Sequence, residues 1–243
     1  MKKITAKALA QAAGGVLVHE GNEPVAKHIS LDSRKMAGND LFVPIIGERA
    51  DGHDYICMAI GNGATVVFTS RHKTEEEVQE AILTQCKGDK EKETAAKAAA
   101  WICVPDTRKA LQDFGAYCRR NNPIPLVGIT GSVGKTTTRE MVAAALSAGF
   151  LVYKTPGNSN SQVGVPITVA EIPENAEIGV IELGMSEPGE MTRIANVAQV
   201  NCAVMTNIGV AHIEQLGSQE NILKEKLHIQ DGMSEKGTLF LNG

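Results

Sequence analysis

The sequence predicts an α/β protein in which a small mixed α/β unit precedes a larger unit built on a mostly parallel sheet. Apolar runs without alternation, separated by helical segments, are typical of parallel strands buried on both faces. Five such runs follow position 125, namely LVGIT, FLVYK, IGVIELG, CAVMTNIG and GTLFLNG. A glycine-rich turn directly after the first run and a length of 243 residues, which suits two modest domains, support the same fold class.

The composition argues against several classes of function. A hydrophobic content of 43% and a charged content of 21% are ordinary for a globular protein. The net charge of −4 and the aromatic content of 4% argue against a nucleic-acid partner, because they offer neither a basic surface nor stacking platforms. No apolar run reaches the ~20 residues of a membrane span. The five cysteines form no C-x-x-C pair, which indicates reduced thiols in a cytoplasmic protein.

The first unit, residues 1–122, is predicted to alternate short strands with helical segments. Its opening MKKITAKALAQAAGG indicates a short amphipathic helix, since it lacks the continuous apolar core of a signal peptide. Strands are predicted at KHISLDSR, DLFVPII, ATVVFTS and AWICVPD, and helices at residues 55–61 and 107–117. The stretch KGDKEKETAAKAAA is highly charged and then alanine-rich, which predicts a solvated helix or a flexible insertion.

A linker is predicted at residues 119–125, where charge, two asparagines and two prolines separate a helical stretch from an apolar run. The second unit then covers residues 123–243. Its helices are predicted at residues 135–148, 188–198 and 218–233.

The strongest functional signal is the turn between LVGIT and the helix after it. Backbone N–H groups at a helix N-terminus, close approach at glycine, a lysine and a hydroxyl for Mg²⁺ are the parts that hold a phosphate. Gly131, Gly134, Lys135 and Thr136 supply these parts. The strict G-x-x-x-x-G-K-[ST] pattern is not met, because its first glycine would fall at Ile129, so an ordinary strand-to-helix turn is the alternative. The sequence contains no N-K-x-D motif, which regulatory GTPases use to read the base.

Polar residues follow other strands at the same predicted edge. Glu182 ends an apolar strand, and a carboxylate at the carboxyl edge of a parallel sheet faces the ligand crevice, although a solvated strand end is the alternative. His212 follows CAVMTNIG, but Mg²⁺ prefers oxygen, and a lone histidine is more often a satisfied polar residue. Asn158 and Asn160 lie on a glycine-flanked loop, for which a pure turn role is the alternative.

Lys226 differs from the neighbouring lysine in its position on the predicted helix. Advancing by ~100° per residue from Ile222 places Lys226 on the apolar face with Ile229 and Met233, whereas Lys224 points outward. An unpaired ammonium buried against a core is costly, so it should be neutralised, paired or modified. The alternative is a lysine that snorkels its stem along apolar surface.

Five segments occur in an order that can be compared with known families. They are TGSVGKT, KTPGNSNSQVGVPIT, IELGMSEPGEM, TNIGVAHIEQLGSQENILKEK and, in the first unit, DSRKMAGNDLFVPIIGERADGHDY. Together they resemble the Mur ligases, which build the peptide stem of peptidoglycan, and the resemblance runs from Ser30 to Gly243. Val133, Ser161 and the stretch 87–100 depart from the family pattern.

The resemblance implies ATP and Mg²⁺ as cofactors and suggests a role for each matching residue. The nucleotide-binding residues, named here the glycine loop, would be Thr130, Gly131, Ser132, Val133, Gly134, Lys135, Thr136 and Thr137. Within the loop, Lys135 would contact the β- and γ-phosphates, Thr136 would bind Mg²⁺ and Thr137 would support the loop. Glu182 would bind Mg²⁺ in a second metal site, His212 and Lys226 would be further metal ligands, and these three residues with Lys135 would form the catalytic set. Lys226 would act there as a carbamate, which turns the amine into an oxygen ligand.

The resemblance also implies contacts with the substrate. The substrate-binding residues would be Ser33, Arg34, Asp51, Gly52, His53, Asn158 and Asn160. In the first unit these would bind a uridine diphosphate, with Arg34 suited to the diphosphate and Asp32 orienting it. A strand-to-loop turn is the alternative for each residue of the first unit.

The G-N-x-N and E-x-G-M-x-x-x-G-E forms favour the family member that joins D-alanyl-D-alanine to UDP-N-acetylmuramoyl-tripeptide, acting as a monomer. A related ligase that adds the diamino acid and a non-catalytic nucleotide-binding module are the alternatives. The family has a third, C-terminal domain, so we expect this chain to be a fragment without it that turns over weakly or not at all.

Overall fold

The protein, seen in a computed structural model that describes residues 1–242, forms two compact units. The first comprises Met1–Phe114 and the second begins at Gly115, inside a long helix. The predicted division after residue 122 lies just beyond the end of that helix, and it stays a prediction. None of the helices among residues 1–242 is both long and apolar enough to span a bilayer.

The elements of the first unit alternate between strand and helix. The strands are β1 (Ile4–Thr5), β2 (Val16–His19), β3 (Val25–Ala26), β4 (His28–Ser30), β5 (Asp40–Phe42), β6 (Ala64–Thr69) and β7 (Ala100–Cys103). The helices are α1 (Ala6–Ala12), a 3₁₀ turn (Gly52–Tyr55), α2 (Ile56–Gly61), α3 (Glu75–Cys86) and α4 (Lys90–Ala98). Helix α5 (Thr107–Asn121) contains the division between the units.

The second unit repeats a strand and a helix along the chain. Its strands are β8 (Leu126–Thr130), β9 (Val152–Lys154), β10 (Ile178–Glu182), β11 (Cys202–Met205) and β12 (Thr238–Leu241). Its helices are α6 (Lys135–Leu146), α7 (Gly164–Ala170), α8 (Glu190–Ala198), α9 (Ile213–Leu216), α10 (Gln219–Leu227) and a 3₁₀ turn (His228–Gly232). The predicted strand GTLFLNG is confirmed as β12, and its last residue, Gly243, lies outside the described residues.

A five-stranded sheet in the order β2-β7-β6-β5-β4 forms the centre of the first unit. Its strands pair in parallel except for β2, which runs antiparallel to β7. Trp101 is fully buried and packs in one cluster with Ala96 of α4 and Ile82 of α3. The stretch KGDKEKETAAKAAA is therefore the predicted helix, with one face in the core.

An entirely parallel sheet in the order β12-β11-β8-β10-β9 forms the centre of the second unit, which confirms the predicted fold class. Its core combines residues of β8, β10, α7 and α8, among them Leu126, Ile181, Val165 and Ile194. Because all five strands run the same way, the turns after β8, β10 and β11 lie at one edge of the sheet. The candidate residues of the second unit come from this edge.

Helix α3 and the anchoring role of Arg119 were not predicted from the sequence. Helix α3 begins with Thr74, which caps the N–H of Glu77, while Glu77 in turn accepts from the N–H of Lys73. The predicted linker contains Arg119, which is buried and donates to the carbonyl oxygens of Asn122, Ile124, Ala198 and Gln199 and to the side chain of Asn201. The segment is therefore anchored within the second unit by that side chain.

Candidate active site

The glycine loop connects β8 to the first turn of α6. Gly131 has φ of 142° and Gly134 has φ of 83°, and both values favour glycine. No acceptor is recorded, within the described residues, for the backbone N–H groups of Lys135, Thr136 and Thr137. These three amides open α6, where the positive end of the helix dipole favours an anion.

Lys135 folds back over the loop that precedes it. Its Nζ donates to the carbonyl oxygen of Gly131 at 2.8 Å and lies 3.5 Å from that of Ser132. A lysine held by carbonyl oxygens at the mouth of such a loop has a charge available for a phosphate. The contact of Lys135 with the β- and γ-phosphates, which the resemblance implies, stays a prediction.

Glu182 is the centre of the candidate site. It is 1% exposed, and its Oε2 accepts from the hydroxyl of Thr136 at 3.1 Å, while its Oε1 accepts from the amide of Asn160 at 2.8 Å. The structure thus brings together three residues, predicted separately, from three different segments. They line a cavity of about 310 Å³ together with Asn158, Thr137 and the rest of the loop from Ser132 onward.

Arg139 is a site residue that the sequence analysis missed. It lies one turn after Thr136 on α6, is 5% exposed, and its Nη1 lies 3.3 Å from Oε2 of Glu182. The same nitrogen donates to the carbonyl oxygen of Gly157 at 2.7 Å, in the loop that carries Asn160. The available signal was a basic residue three positions after Thr136, because residues at this spacing share one face of a helix.

Two further predicted metal ligands lie outside this hydrogen-bonded group. His212 is exposed at the start of α9, with φ of 64°, and no hydrogen bond of its side chain is recorded within residues 1–242. Over the same residues, no group of three or more histidine, cysteine, aspartate or glutamate side chains is arranged to hold a metal. The oxygen donors that are brought together belong to Thr136 and Glu182, and oxygen is the donor type that Mg²⁺ prefers.

Lys226 is buried on α10, as its position on the apolar face predicted. It is 1% exposed, and no hydrogen bond or ion pair of its Nζ is recorded within the described chain. Burial and, to a smaller extent, the positive charge of Lys135 together lower the pKa of Lys226 to about 8, and the charge of Glu225 opposes the shift.

A second cavity, of about 850 Å³, lies in the first unit. Its lining includes Ser33, Arg34 and Gly52 of the predicted substrate residues, and also Tyr55 and Met58. A Cβ on Gly52 would lie 2.7 Å from the backbone nitrogen of Ile45, which explains why the wall needs glycine there.

Asp32 orients Arg34 at this cavity. The carboxylate accepts from Nε of Arg34 at 2.8 Å and from Nη2 at 2.9 Å, a bidentate pair. These hydrogen bonds lower the pKa of Asp32 to about 2 and raise the pKa of Arg34. The side chain of Arg34 remains exposed, so its planar donor face is available to an anion.

Asp51 and His53 stand behind the cavity wall. Asp51 Oδ1 and Nδ1 of His53 lie 2.5 Å apart, and Nε2 of His53 accepts from the N–H of Ser70 at 3.0 Å and lies 3.1 Å from its hydroxyl. Burial would raise the pKa of Asp51, but hydrogen bonds from His53 and the charge of Arg71 lower it. The hydrogen bonds from Asp51 through His53 to Ser70 have the connectivity of a nucleophilic triad. The backbone N–H of Ser70, however, already donates to Nε2 of His53, the nitrogen that would have to accept the hydroxyl proton. The arrangement therefore braces the wall beside Gly52.

The parallel sheet, the glycine loop at the edge of its central strand and the carboxylate on the neighbouring strand define the class of P-loop-type nucleotide-binding proteins. Two family models match this chain. The Mur ligase middle domain matches residues 129–243, and the Mur ligase family catalytic domain matches residues 25–118. The chain belongs to the Mur ligase family, as the resemblance of its motifs predicted.

Curated relatives are similar to this chain in sequence over its whole length. The UDP-N-acetylmuramoyl-tripeptide–D-alanyl-D-alanine ligase of Bacillus subtilis is 36% identical over 244 residues, covering 100% of this chain and 49% of the relative. The ligase of the same name from Escherichia coli is 31% identical over 242 residues, covering 100% of this chain and 48% of the relative. The chain thus spans about half the length of the curated relatives that it matches.

Solved structures give the same result for the fold. A crystal structure of MurF from Acinetobacter baumannii superposes with a TM-score of 0.83 at 30% identity, covering 99% of this chain and 49% of that one. MurF ligase from Thermotoga maritima, solved in complex with ADP, gives a TM-score of 0.72 at 29% identity, covering 89% and 45%.

Proposed function

We propose that this chain provides the UDP-substrate unit and the ATP unit of an ATP-dependent ligase that joins D-alanyl-D-alanine to UDP-N-acetylmuramoyl-tripeptide. The observation that carries the proposal is the convergence of Thr136 and Asn160 on Glu182 beside the glycine loop. The names of the relatives from Bacillus subtilis and Escherichia coli support the choice of substrates. A cytoplasmic location and a monomeric state stay predictions.

The reaction requires activation of a carboxylate, because its oxygen is a poor leaving group toward an amine. Transfer of the γ-phosphoryl group of ATP to the terminal carboxylate of the tripeptide gives an acyl phosphate and ADP. The amine of D-alanyl-D-alanine then attacks the acyl carbon, phosphate leaves, and the amine loses a proton. Such a reaction depends mainly on positioning and on neutralisation of charge.

Different residues of the second unit would bind the phosphates and position the carboxylate of Glu182. The three open amides of α6 and the ammonium of Lys135 would hold the β- and γ-phosphates. Asn158, at the rim of the cavity, would meet either the triphosphate or the muramoyl peptide. Arg139 holds Glu182 against α6, so that the carboxylate keeps its position while charge moves at the phosphate.

A magnesium ion would be held by Thr136 and Glu182, whose oxygens are already adjacent and suit its chemistry. When bound, it would neutralise charge on the phosphate oxygens. We propose that Lys226 joins this site as a carbamate, formed when its neutral amine adds to CO₂ with loss of one proton. The low pKa of Lys226 favours the neutral form that this addition requires. His212 would be the remaining ligand.

The cavity of the first unit would bind the uridine diphosphate end of the substrate. Arg34, oriented by Asp32, offers a planar donor face to a phosphate. Ser33 and Gly52 line the same cavity, and Asp51 and His53 fix the wall from behind.

Calorimetric titration of this chain with ATP·Mg²⁺ and, separately, with UDP-N-acetylmuramoyl-tripeptide tests both halves of the proposal. We expect Lys135→Ala to weaken ATP binding at least tenfold and to leave the UDP substrate unaffected. Arg34→Ala should show the opposite pattern, so each variant is the control of the other. Binding of neither ligand by the unsubstituted chain would contradict the proposal.

A phosphate-release assay distinguishes the alternative functions. Release that depends on both the tripeptide and D-alanyl-D-alanine supports the proposed ligase. Release with a muramoyl dipeptide and a diamino acid instead would support the related ligase. ATP binding without release in any mixture, by this chain and by a longer protein that contains it, would support a non-catalytic module.

A further inference from the structure

The segment directly after β11, residues 206–209, lies against the glycine loop. Five hydrogen bonds join the two segments. They are Thr206 N–H to Thr130 O (2.9 Å), Ser132 N–H to Asn207 O (3.0 Å), Val133 N–H to Asn207 Oδ1 (2.9 Å), Thr206 Oγ1 to Val133 O (2.6 Å) and Gly209 N–H to Ser132 Oγ (2.9 Å). Neither Thr206 nor Asn207 is used by the chemistry described above.

The packing at Gly131 adds an independent steric observation. A Cβ built on Gly131 would lie 2.0 Å from Oγ1 of Thr206, closer than any real contact allows. This glycine is therefore required by the approach of Thr206, in addition to its own φ of 142°. The loop and the segment after β11 are built to fit each other.

These hydrogen bonds decide which amides of the loop can meet a ligand. The N–H groups of Ser132 and Val133 are committed to Asn207, whereas those of Lys135, Thr136 and Thr137 have no recorded acceptor in the described part of the chain. A phosphate site binds its ligand more tightly when its donors are fixed in place before the ligand arrives, because ordering the donors during binding costs free energy.

We infer that Thr206 and Asn207 are positioning residues that hold the glycine loop in its phosphate-binding shape. The inference rests on the proposed ATP-binding function of that loop. Asn207 fixes the front of the loop through both its main chain and its side chain, and Thr206 fixes the carbonyl oxygen of Val133. The bonds act before any nucleotide is present.

The chain contains a matched control for this role. Asn201 precedes β11 at the opposite edge of the sheet, and its Oδ1 accepts from the N–H of Leu126 at 2.8 Å. Strands β8 and β11 are thus tied by one asparagine at each end. Asn201 also accepts from Arg119, so its loss should lower the stability of the unit at least as much as loss of the Asn207 side chain.

The test measures the dissociation constant of ADP·Mg²⁺ and the melting temperature for residues 1–243 and four variants. A hydrogen bond of this type contributes ~3- to 10-fold in an equilibrium constant. We expect Asn207→Ala and Thr206→Val each to weaken ADP·Mg²⁺ binding by about that factor, and Thr206→Ser to restore it. Asn201→Ala should lower the melting temperature and leave the dissociation constant unchanged.

The outcomes separate this inference from the proposed function. Unchanged ADP·Mg²⁺ affinity in both Asn207→Ala and Thr206→Val would overturn the inference while the proposed function stands. An equal loss of affinity in Asn201→Ala would also overturn it, because the effect would then follow general stability. Absence of ADP·Mg²⁺ and ATP·Mg²⁺ binding by the unsubstituted chain would overturn both.

Discussion

Replacement of Lys226 by methionine should stabilise the folded chain while it removes the proposed carbamate ligand of the metal site. Lys226 is 1% exposed and no partner of its ammonium is recorded within residues 1–242. Methionine has a similar length and no charge, so it fills the same space without the cost of a buried ion. The variant thus separates what Lys226 does for the fold from what it does for the reaction.

The magnitude follows from proton linkage. Burial and the charge of Lys135 lower the pKa of Lys226 from 10.5 to about 8. At ~1.4 kcal/mol for each tenfold change in proton affinity, the protonated Lys226 destabilises the folded state by about 3 kcal/mol. Below pH 8 the lysine is protonated in both states, so the full cost is present. As the pH rises from 8 toward 10.5, the folded state releases its proton first and the cost disappears.

Urea unfolding at pH 7 and pH 10, in buffers freed of CO₂, measures this effect. We expect Lys226→Met to be more stable than the parent at pH 7 by up to about 3 kcal/mol, and the difference to shrink at pH 10. Lys224→Met, on the exposed side of the same helix, should change stability little at either pH. A methionine variant no more stable than the parent at pH 7 would refute the reasoning. Added bicarbonate should stabilise the parent alone if Lys226 forms a carbamate.

Three further predictions concern the two cavities. In a longer protein that contains this chain, Glu182→Gln should reduce ligation at least ~100-fold in a coupled phosphate assay, because removal of one positioned electrostatic group has an effect of this size. A titration of the same variant without Mg²⁺ should show ADP binding largely unchanged. Arg139→Ala should weaken nucleotide binding in the presence of Mg²⁺, and Arg139→Lys, which keeps the positive charge, should lose less than half as much affinity. Equal loss of affinity in both variants would contradict a role of Arg139 through its charge. Asp32→Asn should raise the dissociation constant for the UDP substrate about 3- to 10-fold, because Arg34 loses its bidentate partner, and leave the melting temperature unchanged.

The elements that the sequence predicted best are those with a strong periodic signal. Strands β8 and β10 are buried on both faces, and they appear with β11 as uninterrupted apolar runs, so the position and parallel pairing of all three could be predicted. Helix α7 was missed because its short apolar sequence, GVPITVA, has no helical periodicity and follows a glycine-rich loop. Its helical form depends on packing against the core, where Val165 and Val169 are buried.

The residues of the candidate site also differ in whether the local sequence could predict them. The glycine loop and Glu182 could be predicted because each follows a recognisable strand. Arg139, Thr206 and Asn207 could not, since their importance lies in contacts with segments that are distant in the sequence. A helical spacing from Thr136 was the only local indication for Arg139.

The anchoring of Arg119 determines where this protein can be divided. Its guanidinium supplies five hydrogen bonds to acceptors of the second unit, and Gly115, earlier in α5, approaches Pro166 so closely that a Cβ would lie 2.8 Å from its Cα. A shortened chain that starts after residue 122 would leave buried carbonyl oxygens without donors and an uncovered patch on α7. An autonomous nucleotide-binding half must therefore keep α5 from Gly115 onward, and any protease used to separate the halves has to cut before that glycine.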